Sequence, residues 1–341
     1  MDRTIRTIGL VYDLRDDYLA EGFTADQVAE FDTLDTINRL AGALGELGCE
    51  VDRVGNGRAL CRRLVNGDRW DLVFPVAEGL AGRSREAQVP CLLEMYAQPY
   101  VFSDPLACAV TLDKSAAKRI LRAEGLSTPR STTVAREADL AATTLSYPLF
   151  AKPNAEGTGK GVDGASKIDT PEQLRRTCLR LLKQYAQPVL VEEYLPGREF
   201  TTAILGCGTD AQVLGTLEVR MRADSPHVDY SFEVKEKCEQ FVDYLPVEPG
   251  PVRDDVEALA LAAYRVLDCR DTGRVDIRLD SAGLPSFIEI NPLPGLHPTH
   301  SDLPMIATQQ GLTYPELLHR IVASAAARQG LTLPTPSRRD R

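Results

Sequence analysis

Two short stretches near the carboxyl-terminal end of the chain narrow its fold more than any other feature. The first, "GRVDIRLD" at 273–280, alternates Val275, Ile277 and Leu279 with charged residues, the period of two that is typical of a strand with one buried face. The second, "FIEINPLPG" at 287–295, resumes the apolar run after the turn residues Ser-Ala-Gly. The pattern predicts two adjacent strands of one sheet.

The polar face of this strand pair carries side chains suited to a metal-bound phosphate. Asp276 projects away from the buried face, and Glu289 and Asn291, two residues apart, face one way. If the strands pair as a hairpin, these three supply hard oxygen ligands, which suit magnesium beside substrate phosphates. Arg274, on the same face as Asp276, would reach a reacting anion next to the metal. Taken alone, the pattern fits a solvated strand face equally well.

A glycine-rich segment, "FAKPNAEGTGKGVDGASKI" at 150–168, is a second candidate for phosphate binding. Lys152 follows an apolar run and ends a predicted strand, and the glycines after it form a mobile loop whose amides can approach oxygens closely. The spacing is neither that of a Walker loop nor that of a dinucleotide-binding loop. A flexible hairpin loop is the more frequent explanation of such a segment by itself.

A third segment, "PVLVEEYLPGREFTTAIL" at 188–205, reads as strand, Pro-Gly turn and strand. Glu192, Glu193, Tyr194 and Leu195 end the first strand, and Glu199 opens the second. Such a crossing segment can bind an adenine edge through its backbone while a carboxylate takes ribose hydroxyls. Alone, an acidic edge strand is the more frequent reading.

The order of these motifs resembles the ATP-grasp superfamily, and most closely the D-alanine:D-alanine ligase family. Lys114 in "TLDKSAAKRIL" comes first, then the segments at 150–168 and 188–205, then Lys235 in "FEVKEK", and last the strand pair at 273–295. The resemblance extends from about Leu112 to Leu318. It implies an α/β chain, α+β in parts, with an ATP-grasp fold preceded by an N-terminal parallel-sheet (pre-ATP-grasp) domain.

The resemblance also implies which residues bind ATP and which bind the metal ion. Lys114 and Lys152 would contact the ATP phosphates, with the loop from Glu156 to Gly161 closing over them. The residues that would hold ATP are Lys114, Lys152, Glu156, Gly157, Thr158, Gly159, Gly161, Glu192, Glu193, Leu195, Glu199 and Lys235. Asp276, Glu289 and Asn291 match ligands of Mg²⁺ or Mn²⁺.

In that family an acyl phosphate forms from a carboxylate and ATP and is then attacked by an amine, giving a dipeptide or related amide. Arg274 matches the arginine beside the reacting carboxyl group, while Gly295 and Ser301 fall where the carboxylate of the second amino acid binds. His300 would face the substrate. Two other functions keep the same motifs, namely a kinase-like phosphotransferase and a non-catalytic ATP-binding regulatory protein.

Departures from the family pattern fall on the side of the first substrate. The glycine-rich turn and glutamate expected after the first strand are replaced by "YDLRDDYLAEGF" at 12–23, and a histidine-glycine pair by Glu78-Gly79. Thr158 stands for a serine and Glu236 for a tyrosine. Glu78 and Glu236 predict a first substrate with a cationic or amine-rich group, and Arg274, Glu78, Thr158 and Ser301 are the predicted catalytic residues. Alternatively, Arg83, Arg85 or Lys237 neutralises the two glutamates.

Alternating strands and helices before residue 104 predict a parallel sheet, with strands in "TIGLVYDL", "CEVDRV", "DLVFPV" and "PYVFSDP" and a helix over 33–47. The expected units are an N-terminal substrate-side domain over 1–104, a central subdomain with the glycine-rich loop over 105–188, a C-terminal domain with the metal site over 189–327, and a polar tail over 328–341.

Composition limits the partners. The formal net charge of −10 argues against nucleic acid, and neither a signal sequence nor an apolar stretch long enough for a membrane span is visible. Eight cysteines without a C-x-x-C pair predict reduced thiols and a cytoplasmic chain. His297 and His300 lack a third soft ligand in sequence, which disfavours zinc. The expected partners are amino acids or amines and, by resemblance, a second copy in a homodimer.

Overall fold

The computed structural model describes residues 3–222 and 241–334. Its N-terminal part is a parallel three-stranded sheet in the order β2-β1-β3, as the alternation of strands and helices predicts. The elements are β1 (Thr7–Val11), α1 (Arg15–Ala20), α2 (Leu34–Glu46), β2 (Glu50–Gly55), α3 (Gly57–Val65), β3 (Leu72–Pro75), a 3₁₀ turn (Arg85–Ala87) and α4 (Gln88–Met95).

Two details of this part follow from local chemistry. Helix α2 begins where the Thr33 hydroxyl accepts a hydrogen bond from the Thr36 N–H, 3.3 Å away, which satisfies an otherwise unpaired donor. The strand predicted in "PYVFSDP" is wrong, because only Tyr100 pairs with the sheet, through an isolated bridge to Val73. The backbone turns away at once, as Phe102 has a positive φ of 75°.

The central part is an antiparallel four-stranded sheet in the order β4-β7-β5-β6. Apolar faces of the sheet and of α7 bury Ala151, Val191 and Leu181 between them. The elements are α5 (Pro105–Leu112), α6 (Lys114–Ala123), β4 (Ser131–Val134), a 3₁₀ segment (Glu137–Ala142), β5 (Leu149–Pro153), β6 (Lys167–Ile168), α7 (Pro171–Tyr185) and β7 (Val189–Glu193). Because β7 pairs with β4 and β5, we set the end of the central unit after Glu193 rather than at 188.

The C-terminal part is an antiparallel five-stranded sheet in the order β10-β9-β8-β11-β12. Its elements are β8 (Glu199–Leu205), a 3₁₀ turn (Gly208–Asp210), β9 (Gln212–Met221), β10 (Val242–Pro246), α8 (Pro251–Val266), β11 (Thr272–Leu279), β12 (Pro285–Asn291), α9 (Asp302–Gln309) and α10 (Tyr314–Gln329). The predicted hairpin is confirmed as β11 and β12, where Asp276 faces Glu289 and Arg274 faces Asn291.

The last two helices complete the core of the first sheet. Leu303 of α9 and Leu318 and Ile321 of α10 are buried with Ile8 of β1 and Leu40 of α2 in one apolar cluster. This packing brings the N-terminal loops over the edge of the sheet that carries β11 and β12. Lys235 and Glu236, which the sequence places at the nucleotide and the substrate, lie outside the described residues, as does the end of the predicted polar tail.

Candidate active site

Two adjoining cavities lie between the three sheets. The first, of about 100 Å³, is bordered by the central sheet and by β8, β11 and β12. The second, of about 590 Å³, is bordered by the N-terminal loops, β12 and the start of α9. Lys114, Glu156 and Glu289 line both cavities, so the two meet at these residues.

A buried network of lysines and glutamates forms the inner wall of the first cavity. Lys152 Nζ lies 3.3 Å from Glu192 Oε1 and 3.6 Å from Glu289 Oε2. Lys114 Nζ lies 3.5 Å from the same oxygen of Glu289, and Lys118 Nζ lies 3.0 Å from Glu192 Oε2. Because two ammonium groups meet at Glu289, this carboxylate keeps cationic donors at the junction of the cavities.

Lys118 is part of this network, although the sequence motifs did not single it out. It is fully buried and also donates to the Phe287 carbonyl at 3.0 Å. Burial lowers the pKa of Lys118 to about 8, although Glu192 opposes the shift. Burial would raise the pKa of Glu192, but Lys118 and Lys152 outweigh it and lower that pKa. One indication of this role for Lys118 is visible in the sequence. It lies four residues after Lys114 on α6, so both lysines are on one face of the helix.

Replacing Lys118 with methionine is expected to lower the free energy of unfolding by about 3–5 kcal/mol, because the Glu192 carboxylate would stay buried without one of its two cations. Differential scanning calorimetry measures this as a lower Tm. Lys183→Met on the exposed face of α7 is the matched control and should change stability by about 0.5 kcal/mol or less. Equal losses in both variants would contradict the role of the network.

The glycine-rich loop is held at the junction by contacts from both sides. Lys114 Nζ donates to the Glu156 carbonyl, and Lys160 forms an ion pair with the Glu156 carboxylate. The Gly157 N–H donates to Glu30 Oε1, and a Cβ at Gly157 would lie 2.7 Å from that oxygen, so only glycine allows this approach. Thr158 lines the second cavity with a φ of 51°, a region that β-branched residues rarely occupy.

The outer end of the first cavity contains residues that the sequence assigns to adenosine. Phe150, Tyr194, Leu195 and Ile288 give it apolar walls. The Tyr194 N–H donates to the Pro148 carbonyl within the sheet, whereas no acceptor in 3–222 or 241–334 takes the N–H of Leu195.

Polar groups at this end come from the segment after β7 and from β11. Arg278 Nη1 lies 3.4 Å from Glu199 Oε2, and the guanidinium lies 5.3 Å from the centre of the Tyr194 ring. Glu193 is partly exposed and lies 3.5 Å from Arg130. A ribose could therefore meet the Glu199 carboxylate, while Glu193 faces the rim.

The four polar residues of β11 and β12 converge as the strand pattern predicts. Arg274 donates to Asp276 through Nε at 3.1 Å and Nη2 at 3.0 Å, and Thr201 donates to Asp276 Oδ1 at 2.8 Å. The Asn291 amide lies 3.5 Å from Asp276 Oδ2. The carboxylates of Asp276 and Glu289 and the amide of Asn291 supply the oxygen ligands that Mg²⁺ prefers. Their position at the junction of the cavities suits a metal that also binds phosphates.

The second cavity has an acidic wall made of Glu30, Asp32, Glu78 and Glu86. Burial raises the pKa of Asp32 to about 7 and that of Glu86 to about 7. Burial, followed by the charges of Glu86 and Glu30, raises the pKa of Glu78 well above its usual range. A ligand cation in this cavity would relieve the repulsion among these carboxylates.

Nearby arginines neutralise only part of this wall. Arg85 lies 2.6 Å from Glu30 and Arg83 pairs with Asp113, so neither arginine forms an ion pair with Glu78. Within the described part of the chain Glu78 makes no hydrogen bond or ion pair. Neither arginine pairs directly with Glu78, although the charge of Arg85 opposes the rise in the pKa of Glu78, and Lys237 lies outside the described residues.

Glu30 and Asp32 were not predicted to line the cavity, because the family pattern places the glutamate directly after β1. The stretch at 12–23 instead forms α1, and Arg15 at its start donates to the carbonyls of Ala29 at 3.1 Å and Phe31 at 3.3 Å. These bonds hold the segment before α2 at the cavity. The available signal was a pair of acidic residues just before the helix cap Thr33.

The acidic wall predicts how stability depends on pH. Carboxyl groups with raised folded-state pKa values bind more protons folded than unfolded, so their contribution is present at low pH and is lost as the pH rises from about 4 to about 7. We expect the Tm of the free protein to fall between pH 5 and pH 8, and the fall to be a few degrees smaller in Glu86→Gln. Glu137→Gln, at an exposed ion pair, should keep the full fall.

At the far end of the second cavity, Ser301 stabilises a turn. Its Oγ accepts a hydrogen bond from the His297 N–H at 3.0 Å, and a Cβ at Gly295 would lie 2.8 Å from that Oγ. His297 and His300 line the cavity with ring centres 4.6 Å apart.

No group of three or more histidine, cysteine or acidic side chains within 3–222 and 241–334 is arranged to hold a metal.

None of the helices in the described ranges is both long and apolar enough to cross a membrane.

Comparisons with known proteins agree with this geometry. A family model described as "D-ala D-ala ligase C-terminus" matches residues 120–323. Uncharacterized protein y4sG of Sinorhizobium fredii is 32% identical over 264 residues, which are 75% of each chain. The D-alanine–D-alanine ligase of Marinomonas sp. is 33% identical over 282 residues, 81% of this chain and 84% of the ligase.

Solved structures show the same fold. A crystal structure of D-alanine–D-alanine ligase from Bacillus anthracis superposes with a TM-score of 0.74 at 22% identity, covering 95% of this chain and 99% of that chain. A second crystal structure of that enzyme, complexed with ATP, has a TM-score of 0.71. The fold class predicted from the sequence is confirmed.

Proposed function

The chain belongs to the D-alanine–D-alanine ligase family of ATP-grasp enzymes, which are ATP-dependent, ADP-forming ligases, and on this premise we propose that it joins a cationic carboxylate substrate to an amine through an acyl phosphate. The observation that carries the proposal is the junction of the two cavities. There the lysines suited to phosphates, the carboxylates suited to a metal and the Arg274 guanidinium lie together, and the acidic wall lines the second cavity beside them.

ATP would occupy the first cavity, with its adenosine between Phe150 and Ile288 and its phosphates at Lys114 and Lys152. Asp276, Glu289 and Asn291 would hold Mg²⁺ or Mn²⁺, which supplies charge neutralisation for the phosphates when it is bound. Lys235 and Glu236 keep their predicted roles at the phosphates and at the substrate as proposals.

The reaction is proposed in two steps. An oxygen of the substrate carboxylate attacks the γ-phosphorus of ATP, the bond from that phosphorus to the bridging oxygen breaks, and ADP leaves. The amine nitrogen then attacks the acyl carbon, an amide bond forms, and the carbon–oxygen bond to phosphate breaks as the amine loses a proton. Lys114 and Lys152 orient the phosphates, and Arg274 donates to the oxyanion that develops at the acyl carbon.

Water must be kept from the acyl phosphate, and the loop over 154–166 is suited to do so. Glu156, Gly157 and Thr158 line the second cavity, and their contacts with Lys114, Lys160 and Glu30 hold the loop over the junction. We propose that Thr158 takes the place of the serine expected there and positions the first substrate with Glu78.

The first substrate is proposed to carry a cation besides its carboxylate. Glu86 is buried and Glu78 is partly buried at the cavity, neither of them forms an ion pair with a nearby arginine, and a ligand ammonium would supply the missing charge. Diamino acids and amine-bearing carboxylates have this chemistry. D-alanine has no side-chain cation for these groups to bind.

An ADP-release screen tests the proposal. Lysine, ornithine, arginine and alanine, in both stereochemical forms, would be assayed with ATP and Mg²⁺, with hydroxylamine as a small acceptor that traps an acyl phosphate as a hydroxamate. We expect hydroxamate with at least one cationic donor. A phosphoester in mass spectrometry would favour the kinase-like alternative. ATP binding without any product would favour the regulatory protein. Robust turnover with D-alanine alone would exclude the altered first substrate.

The homodimer and the cytoplasmic location implied by the sequence stay proposals. Analytical ultracentrifugation would test the first.

A further inference from the structure

Asp302 places a negative charge in the second cavity at the start of α9. It is the first residue of α9, it is 8% exposed, and it lines the cavity next to Ser301 and Asn291. Its Oδ2 lies 3.1 Å from Arg274 Nη1. Asp302 therefore touches the guanidinium that the proposed reaction needs at the acyl carbon.

Arg274 is held between two carboxylates. Asp276 takes Nε and Nη2, and Asp302 takes Nη1 from the other side. All three guanidinium nitrogens are thus within hydrogen-bonding distance of a carboxylate of the chain itself. A carboxylate of a bound molecule would have to share Arg274 with both.

This corner has two features that attract anions. One is Arg274, and the other is the amino-terminal end of α9, where unpaired N–H groups give a partial positive charge. The N-cap residue Ser301 makes no capping hydrogen bond with its side chain, and the described ion pair of Asp302 is the one to Arg274. The chain itself supplies the anion that this corner would otherwise bind.

The charge of the whole cavity agrees with this. Among the described residues, seven carboxylate side chains line it but only three lysine or arginine side chains do. An acceptor that carries a carboxylate beside its amine would bring a further negative charge next to Asp302, and burial makes such repulsion strong.

We propose that Asp302 is a specificity-determining residue that excludes acceptors with an α-carboxylate, so that the amine joined by this enzyme belongs to a molecule without a carboxylate next to its amino group. The inference rests on the proposed function for the reaction, and it adds the class of the second substrate. Amines and amino acid amides fit this class, whereas free α-amino acids do not.

The test compares D-alaninamide with D-alanine, which differ only in the carboxylate, and repeats the comparison with the L forms. Calorimetry would measure the binding of each to the protein saturated with Mg²⁺ and a non-hydrolysable ATP analogue. We expect the amide to bind about tenfold or more tightly than the acid in the unaltered protein. In Asp302→Asn the ratio should fall towards one or invert, because Arg274 becomes available to the carboxylate.

The acidic wall is the same in both proteins, so the change in the ratio reports on the Asp302 end alone. Asp254→Asn, the same substitution in the exposed first turn of α8, is the matched control and should keep the original ratio. A ratio of one or below in the unaltered protein, no binding of the amide, or a ratio in Asp302→Asn within twofold of the unaltered one would each overturn the inference.

The two proposals fail separately. If no donor gives ADP and a trapped product, the proposed function falls while the binding ratios still decide the role of Asp302. If amides form readily with free α-amino acids as acceptors, the ligase function stands and the acceptor inference is wrong.

Discussion

Replacing Arg274 with alanine is expected to lower amide or hydroxamate formation by about 10²- to 10³-fold, the usual effect of removing one donor to a developing oxyanion. Binding of ATP should stay within a few fold of the unaltered protein, because Arg274 lines only the second cavity. The measurement is kcat for product formation beside the Kd of an ATP analogue. The loss should appear in kcat rather than in the KM for ATP.

Arg278 provides the contrast, because it lies on the same face of β11 but contacts Glu199 and Tyr194 at the adenosine end. Arg278→Ala should weaken ATP binding and leave kcat at saturating ATP within a few fold. If Arg274→Ala instead behaves like Arg278→Ala, or retains amide synthesis, Arg274 does not act at the acyl carbon.

Replacing Glu289 with glutamine is expected to reduce kcat by about 10²-fold or more and to raise the Mg²⁺ concentration needed for half-maximal activity by about tenfold or more. Two causes act together. The metal loses one of its two carboxylate ligands, and Lys114 and Lys152 lose the anion at 3.5 Å and 3.6 Å that keeps their ammonium groups at the junction.

Glu218→Gln is a suitable control for this variant. Glu218 is buried on β9 of the same sheet and pairs with Arg198 and Arg220, but it lines neither cavity. Glu218→Gln removes the charge of a buried ion-paired carboxylate, and we expect its Mg²⁺ dependence to stay unchanged. An unchanged Mg²⁺ dependence in Glu289→Gln as well would remove Glu289 from the metal site.

Local sequence patterns correctly predicted the strands that carry the candidate nucleotide site. The period of two in β11 and β12 and the short turn between them determine which side chains share a face. The proximity of Asp276, Glu289 and Asn291 could therefore be predicted from the sequence. The strand, turn and strand from β7 to β8 could be predicted for the same reason. In both cases the residues that meet are close in sequence.

The substrate side depends on contacts that no local pattern encodes. Glu30 reaches Gly157 across 127 positions, and Lys118 reaches Glu192 only after α6 packs under the central sheet. Asp302 meets Arg274 because α9 folds back towards β11. Local patterns therefore did not indicate that Glu30 reaches the cavity, and Gly295 and Ser301 were assigned to the second substrate without any indication that Asp302 lies beside Arg274.

The burial of Leu318 and Ile321 against Ile8 has a consequence for the order in which the protein is made. During synthesis β1 leaves the ribosome long before α10, so the first sheet must wait for the end of the chain to finish its core, whereas the central sheet has all its strands once residue 193 has emerged. The central sheet, which forms one wall of the first cavity, can thus assemble on the nascent chain, whereas the rest of that cavity waits for β8, β11 and β12. The half that selects what is joined is completed only after the last helix is released.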